Sequence, residues 1–224
     1  MFYSRSRSGR DVGHNAFFDA PAGSQLPTWI IWWMKISSVL CAMDVFYTMM
    51  RPWTNRGGGG WLEKFYEPWN IYADVDFRYA RWDDLVTMAN GRVMLIEIVM
   101  NIISLRMNAS GSKHTLMTTF TTTAFVFWKT VWYMTLFVHQ PEGTEPMLNP
   151  EASALRIFWV FWVADGFWIV VPLFVMIALW PRMARVEGDE GRGRRTFSID
   201  DYGYESLADD KEKSGRPSNF VPYI

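Results

Sequence analysis

A chain of 224 residues, 50% hydrophobic and 17% aromatic, fits a single domain, and with a formal net charge of -1 and no basic stripe it carries no nucleic-acid signature. One cysteine excludes a disulfide framework and a cysteine-based metal centre. The mean hydropathy of -0.04 looks soluble, but it averages polar ends against a very apolar middle.

The first 27 residues are rich in Arg, Ser and Gly and lack the apolar core of a secretory signal. Residues 1–27 therefore read as a disordered cytosolic tail, and the span that follows as an uncleaved anchor. Four runs are long enough to cross a bilayer, which takes about 20 residues, at 28–50, 85–105, 116–138 and 157–180. The expected fold is an all-α integral membrane protein, a four-transmembrane-helix bundle over residues 28–181 with an interfacial loop between helices one and two. That loop opens with Arg51-Pro52-Trp53 and a glycine run at 57–60, expected to be flexible. An aromatic and charged stretch at 61–69 suits a membrane interface. Then come Tyr72-Ala73-Asp74-Val75-Asp76-Phe77-Arg78-Tyr79 and Trp82-Asp83-Asp84, leading into the second span.

Charge gives an orientation. Arg5, Arg7 and Arg10 precede span one, Arg106 and Lys113 separate spans two and three, and Arg182, Arg185, Arg192, Arg194 and Arg195 follow span four. The loop 139–155 holds Glu142, Glu145 and Glu151 and no Lys or Arg. Both termini are thus expected in the cytosol, with the acidic loop lumenal. Residues 182–224 are polar and charged and read as a second disordered cytosolic tail.

Asp44, Glu97, Lys129 and Asp165 each lie inside a different span. A charge at the bilayer centre costs about 2.5–3.5 kcal/mol on insertion scales, which makes such residues candidates for a functional site. Counting about 1.5 Å per residue from the lumenal ends places Asp44 roughly 9 Å deep, Lys129 and Asp165 roughly 13 Å, and Glu97 roughly 18 Å. Three of the four share a layer. Phe161, Trp162, Trp168 and Ile169 fall on the helical face of Asp165, an aromatic wall suited to a proton donor and to a passing cation. Cys41, Tyr47 and Thr48 surround Asp44 at helical spacing. The structural alternative pairs Asp44 with Lys129, or Glu97 with Arg92, and uses Asn90 and Asn101 as interhelical hydrogen bonds. His114 and His139 lie at span ends and read as interfacial. The glycine run lacks the Lys-Ser/Thr of a P-loop, and no metal-ligand pattern is present.

The Asp-x-Arg-Tyr element at Asp76, Arg78 and Tyr79, with Asp83 shortly after, resembles the emopamil-binding protein family of the EXPERA superfamily. Phe158-Trp159, Trp168 and Pro172 in span four, and Asp44 after Cys41 in span one, extend the likeness over residues 28–180. The resemblance implies an endoplasmic-reticulum membrane protein with cofactor-free sterol Δ8–Δ7 isomerase chemistry, in which buried acids protonate an alkene and a neighbouring carbon then loses a proton. The sigma-2 receptor is a relative, so a non-catalytic binder of sterols, lipids or amines is the alternative. The chain departs from the isomerases at several points. Asn90 stands at their catalytic Glu, with Glu97 two turns deeper; Thr130 stands at an Asp, Asp165 at an Asn, and Asp44 at a Glu. Those changes point to a divergent paralogue acting on a terpenoid-like lipid, as a double-bond isomerase or cyclase. Asp165 is the expected general acid and Asp44 the base or second acid. Lys129, Glu97 and Asn90 tune them or supply another acid. Trp162, Trp168 and Tyr47 bind the substrate or its cation, and Asp76, Arg78, Tyr79 and Asp83 fasten the loop. The partners expected are the membrane and a sterol or terpenoid substrate; a homodimer is left open. No cofactor and no metal are expected.

Overall fold

The computed structural model describes residues 17–195, with side chains as far as Arg185. The chain opens with α1 (Thr28–Met49), followed by the short helices α2 (Trp61–Phe65), α3 (Glu67–Ala73) and α4 (Phe77–Ala80). Two long helices come next, α5 (Leu85–Ala109) and α6 (Thr115–Thr135). A single turn, α7 (Ala154–Ile157), passes through a π-helical segment (Phe158–Val163) into α8 (Ala164–Arg195). No strand forms among the described residues; an isolated antiparallel bridge joins Asp76 to Leu148.

Three helical stretches are long and apolar enough to cross a membrane: Thr28–Met49, Leu85–Ala109 and Ala154–Arg185. The third expected span, α6, has the length at 21 residues. Its eight threonines and Lys129 keep it out of that apolar set.

Polar and apolar faces are inverted relative to a bundle in water. Trp32, Ile36 and Val39 of α1, Leu95, Ile96 and Val99 of α5, and Phe167, Val170 and Phe174 of α8 are exposed, whereas Ser37, Glu97, Asn101, Ser104, Thr119 and Thr122 are buried. Soluble monomers rarely expose apolar surface on this scale. In an apolar surround, interhelical hydrogen bonds and close backbone approach hold helices together. Asn101 does this as expected: it accepts from Thr122 Oγ1 at 3.0 Å and donates to Ser38 Oγ at 3.2 Å, joining α5 to α6 and α1. Gly91 lets α1 approach α5, since a Cβ there would lie 2.9 Å from Met49 Cε and 3.0 Å from Thr48 Oγ1.

One end of the bundle is closed by residues assigned above to the N-terminal tail. Asn108 Oδ1 accepts from the backbone N–H of Gln25 (3.0 Å) and Leu26 (3.2 Å), and Arg182 donates to the Gln25 carbonyl at 3.3 Å. Leu26 is fully buried. The segment just before α1 is therefore packed rather than disordered, and residues 1–16 lie outside the described residues. At the other terminus α8 runs on to Arg195, past the expected tail boundary at Arg182. The remainder of that tail, 196–224, lies outside the described residues. The chain divides into two compact units after Met183, and the site below belongs to the first.

At the opposite end the loop between α1 and α5 is pinned by Arg51, which is 7% exposed. Its guanidinium donates to the carbonyls of Thr48 (2.9 Å), Arg78 (3.1 Å) and Arg81 (2.5 Å) and to Thr87 Oγ1 (2.9 Å). The glycine run is wound into a turn: Gly57, Gly59 and Gly60 take φ of 82°, 78° and 93°, and a Cβ on Gly58 would lie 2.2 Å from the Pro52 carbonyl oxygen. Asp83, expected to fasten the loop, is exposed. Its neighbour Asp84 takes that role, accepting from Thr87 N at 2.7 Å as the cap of α5 and from Arg78 Nε at 3.1 Å. Asp84→Ala should lower stability by about 0.5–2 kcal/mol, read as an earlier thermal midpoint in detergent; Asp83→Ala should leave the midpoint unchanged.

Candidate active site

A cavity of about 280 Å3 opens between the long helices beneath α3 and α4. That is near the lower end of the roughly 300–1,000 Å3 usual for small-molecule sites. Apolar groups dominate its wall, among them Leu40, Met94 and Trp168. Asp44, Asp165, Lys129 and Asn90 all reach it. The charges of α1, α6 and α8 are thus gathered at one place, as their depth in the sequence suggests.

The short helices supply what the sequence reading missed. Pro68 sits in the first turn of α3, where its missing N–H removes no helical bond. Trp69 and Tyr72 then fall three residues apart on one face. Trp69 Nε1 donates to Asp44 Oδ1 at 2.9 Å, and Tyr72 Oη donates to Asp165 Oδ2 at 2.8 Å. Asp76 caps α4 by accepting from Arg78 N at 2.9 Å, which fixes Tyr79 one turn on. Tyr79 Oη donates to Asp44 Oδ2 at 3.0 Å. Tyr79 therefore touches the site itself, beyond the fastening role expected of it. Tyr133 of α6 donates to Asp76 Oδ2 at 2.6 Å. Each of the three carboxyl groups has its own phenol. The phenols also touch: Tyr72 and Tyr79 meet edge to face at 4.8 Å, and Tyr79 and Tyr133 at 6.3 Å.

Burial, and then the carboxylates beside them, push the Tyr72 and Tyr79 phenols well above their usual range, so both remain protonated donors. Burial also pushes Asp76, which is fully enclosed, from 3.8 to about 6, against the pull of the donors Tyr133 and Arg78 N. Between those values the folded chain binds a proton that the unfolded chain releases. Asp76 therefore favours folding most below about pH 4, and that contribution is lost as pH rises through 6. The thermal midpoint in detergent should fall over this window, by the equivalent of roughly 2–3 kcal/mol, and Asp76→Asn should flatten the dependence.

The remaining charges pair differently from either expected arrangement. Lys129 Nζ lies 2.7 Å from Glu97 Oε2, with side-chain exposures of 11% and 0%. Cys41 Sγ donates to Glu97 Oε1 at 3.2 Å. Asp44 is served by Trp69 and Tyr79 in place of Lys129, and Arg92 faces outward. Glu97 sits behind Lys129, outside the cavity wall. Asn90, expected as an interhelical bond or a tuning group, faces the cavity.

Of the three aromatic residues expected at the substrate, Trp168 lines the cavity, braced by Trp33 at 5.4 Å. Trp162 does not. An i to i+5 turn over Phe158–Val163 carries more residues per turn than an α-helix, so Trp162 leaves the face of Asp165 and packs edge-on against Phe161 at 5.2 Å. Tyr47 is also elsewhere: it is fully buried, with its hydroxyl donating to Asn70 Oδ1 at 3.0 Å. Among the described residues no group of three His, Cys, Asp or Glu side chains is arranged to hold a metal ion.

No family model, curated protein or solved structure matches the chain. The likeness to the emopamil-binding protein family rests on the sequence elements quoted for it.

Proposed function

We propose that the chain is a membrane isomerase that shifts a double bond, or starts a cyclisation, in a sterol- or terpenoid-like lipid. One observation carries this reading. Two carboxyl groups share an apolar cavity with unlike hydrogen bonding: Asp44 accepts on both oxygens, whereas among the described residues Tyr72 alone donates to Asp165. Two donors serve a carboxylate, the form a base needs. Oδ1 of Asp165 is left to hold a proton and face the substrate.

In the forward step the alkene π electrons take the proton from Asp165, forming a C–H bond and leaving a cation on the adjacent carbon. The faces of Trp168 and the tyrosines stabilise that cation. Asp44 then removes a proton from the next carbon, and the C–H electrons become the new double bond. No redox change occurs and no cofactor takes part. Asp44 then gives its proton to water and Asp165 takes one from water before the next turnover, so hydrogen from solvent enters the product. The full arrangement is four spans in the endoplasmic-reticulum membrane, with both termini cytosolic and α2 to α4 lying at the lumenal interface.

Purified protein in lipid vesicles, given a Δ8 sterol or a terpenoid olefin and nothing else, should return a product with a displaced double bond or a new ring. The redistribution of acids favours the terpenoid, so rescue of a strain lacking sterol Δ8–Δ7 isomerase should fail. A protein that binds these lipids and returns them unchanged is a carrier of the sigma-2-receptor kind.

A further inference from the structure

The acids Asp44 and Asp165 reach the cavity from α1 and α8. The part of the wall from α5 and α6 has polar groups that the double-bond chemistry leaves unused. Lys129 Nζ gives one of its three N–H donors to Glu97 and reaches the cavity, so two donors remain. The Asn90 amide lines the same wall and makes no hydrogen bond to the described residues. Thr130 Oγ1 spends its proton on the Val126 carbonyl and keeps its lone pairs. Glu97, fully buried behind Lys129 and itself accepting from Cys41, holds the ammonium in place. A hydrocarbon would leave these donors unmatched in an apolar surround, which is unfavourable.

We propose that Lys129 and Asn90 form an anchor for a hydrogen-bond-accepting oxygen, so that the substrate is an oxygenated ring lipid, a ketone or alcohol, and not a plain olefin. The proposal rests on the cavity being the reaction site. The anchor fixes the distance from that oxygen to the carbon above Asp165, and so selects which double bond is protonated. The spare donors of an ammonium and an amide select against a protonated amine at this wall, because such a group brings only further donors.

The test uses the full chain in nanodiscs with two bicyclic probes, 2-decalone and decalin, which differ in one carbonyl. The ketone should bind roughly tenfold or more tightly than the hydrocarbon, and its C=O stretch should move to lower frequency on binding. Lys129→Met leaves Glu97 unpaired, so the variant of choice is Glu97→Gln/Lys129→Met, which removes both charges. That variant should lose the preference and the band shift, and Asn90→Leu should weaken both. Equal binding of the two probes, an unshifted carbonyl band in the native chain, or a preference surviving in the double variant overturns the anchor. An anchored ketone with no turnover of any olefin would leave the anchor standing and remove the isomerase. Turnover that ignores the oxygen would do the reverse.

Discussion

Asp165→Asn lowers turnover by about 10²–10⁴-fold, the usual worth of a general acid, and leaves the thermal midpoint close to the native value. The amide has the shape of the acid and still offers an oxygen to Tyr72, whose donation at 2.8 Å is the one hydrogen bond this side chain makes among the described residues. What the substitution removes is a transferable proton. Asp44→Asn is less clean. Asp44 accepts from Trp69 at 2.9 Å and from Tyr79 at 3.0 Å, and an amide turns its N–H2 toward one of these donors. That variant should lose activity and also roughly 1–3 kcal/mol of stability. Initial rates in vesicles, set beside melting curves in detergent, separate the two effects. Native rates in Asp165→Asn would remove Asp165 from the chemistry.

Lys129→Met destabilises the folded chain by about 3–5 kcal/mol, the usual consequence of removing one partner from a buried pair. Glu97 is fully buried, and with Lys129 gone its remaining partner is the weak thiol donor Cys41 at 3.2 Å. Glu97→Gln/Lys129→Met should recover most of the loss, because replacing a buried pair by neutral groups is often near neutral. Midpoints of the two variants and the native chain, measured in one detergent, test this. A single variant as stable as the native chain would mean that water reaches Glu97 in solution.

The long helices were legible because apolar runs of about 20 residues or more are strong local signals. Gathering Asp44, Asp165 and Lys129 at one cavity was also legible, because helix rise converts sequence position into depth. The partners of these charges were not. Whether Lys129 faces Asp44 or Glu97 depends on rotation of α6 about its axis, and the run of threonines gives α6 no sharp polar stripe. Trp162 was misplaced because helical spacing assumes 3.6 residues per turn, and the π turn at Phe158–Val163 breaks that assumption just before Asp165. Trp69 and Tyr72 did leave a trace, three residues apart after Pro68. A five-residue helix preceding a seven-residue one is too short for periodicity to separate from loop. Asp83 and Asp84 differ only by register, which the backbone of the α5 cap decides.

Protonation of carbon from within the Asp44 and Asp165 cavity is the central claim, and isotope incorporation tests it most directly. Native protein in vesicles made up in D2O, supplied with an oxygenated olefin, should yield an isomer carrying one deuterium per turnover at the carbon that gains hydrogen, and Asp165→Asn should form that labelled isomer about 10²–10⁴-fold more slowly. An isomer formed without deuterium when every exchangeable site has been equilibrated, or a rate of labelling that Asp165→Asn leaves undiminished, would contradict it.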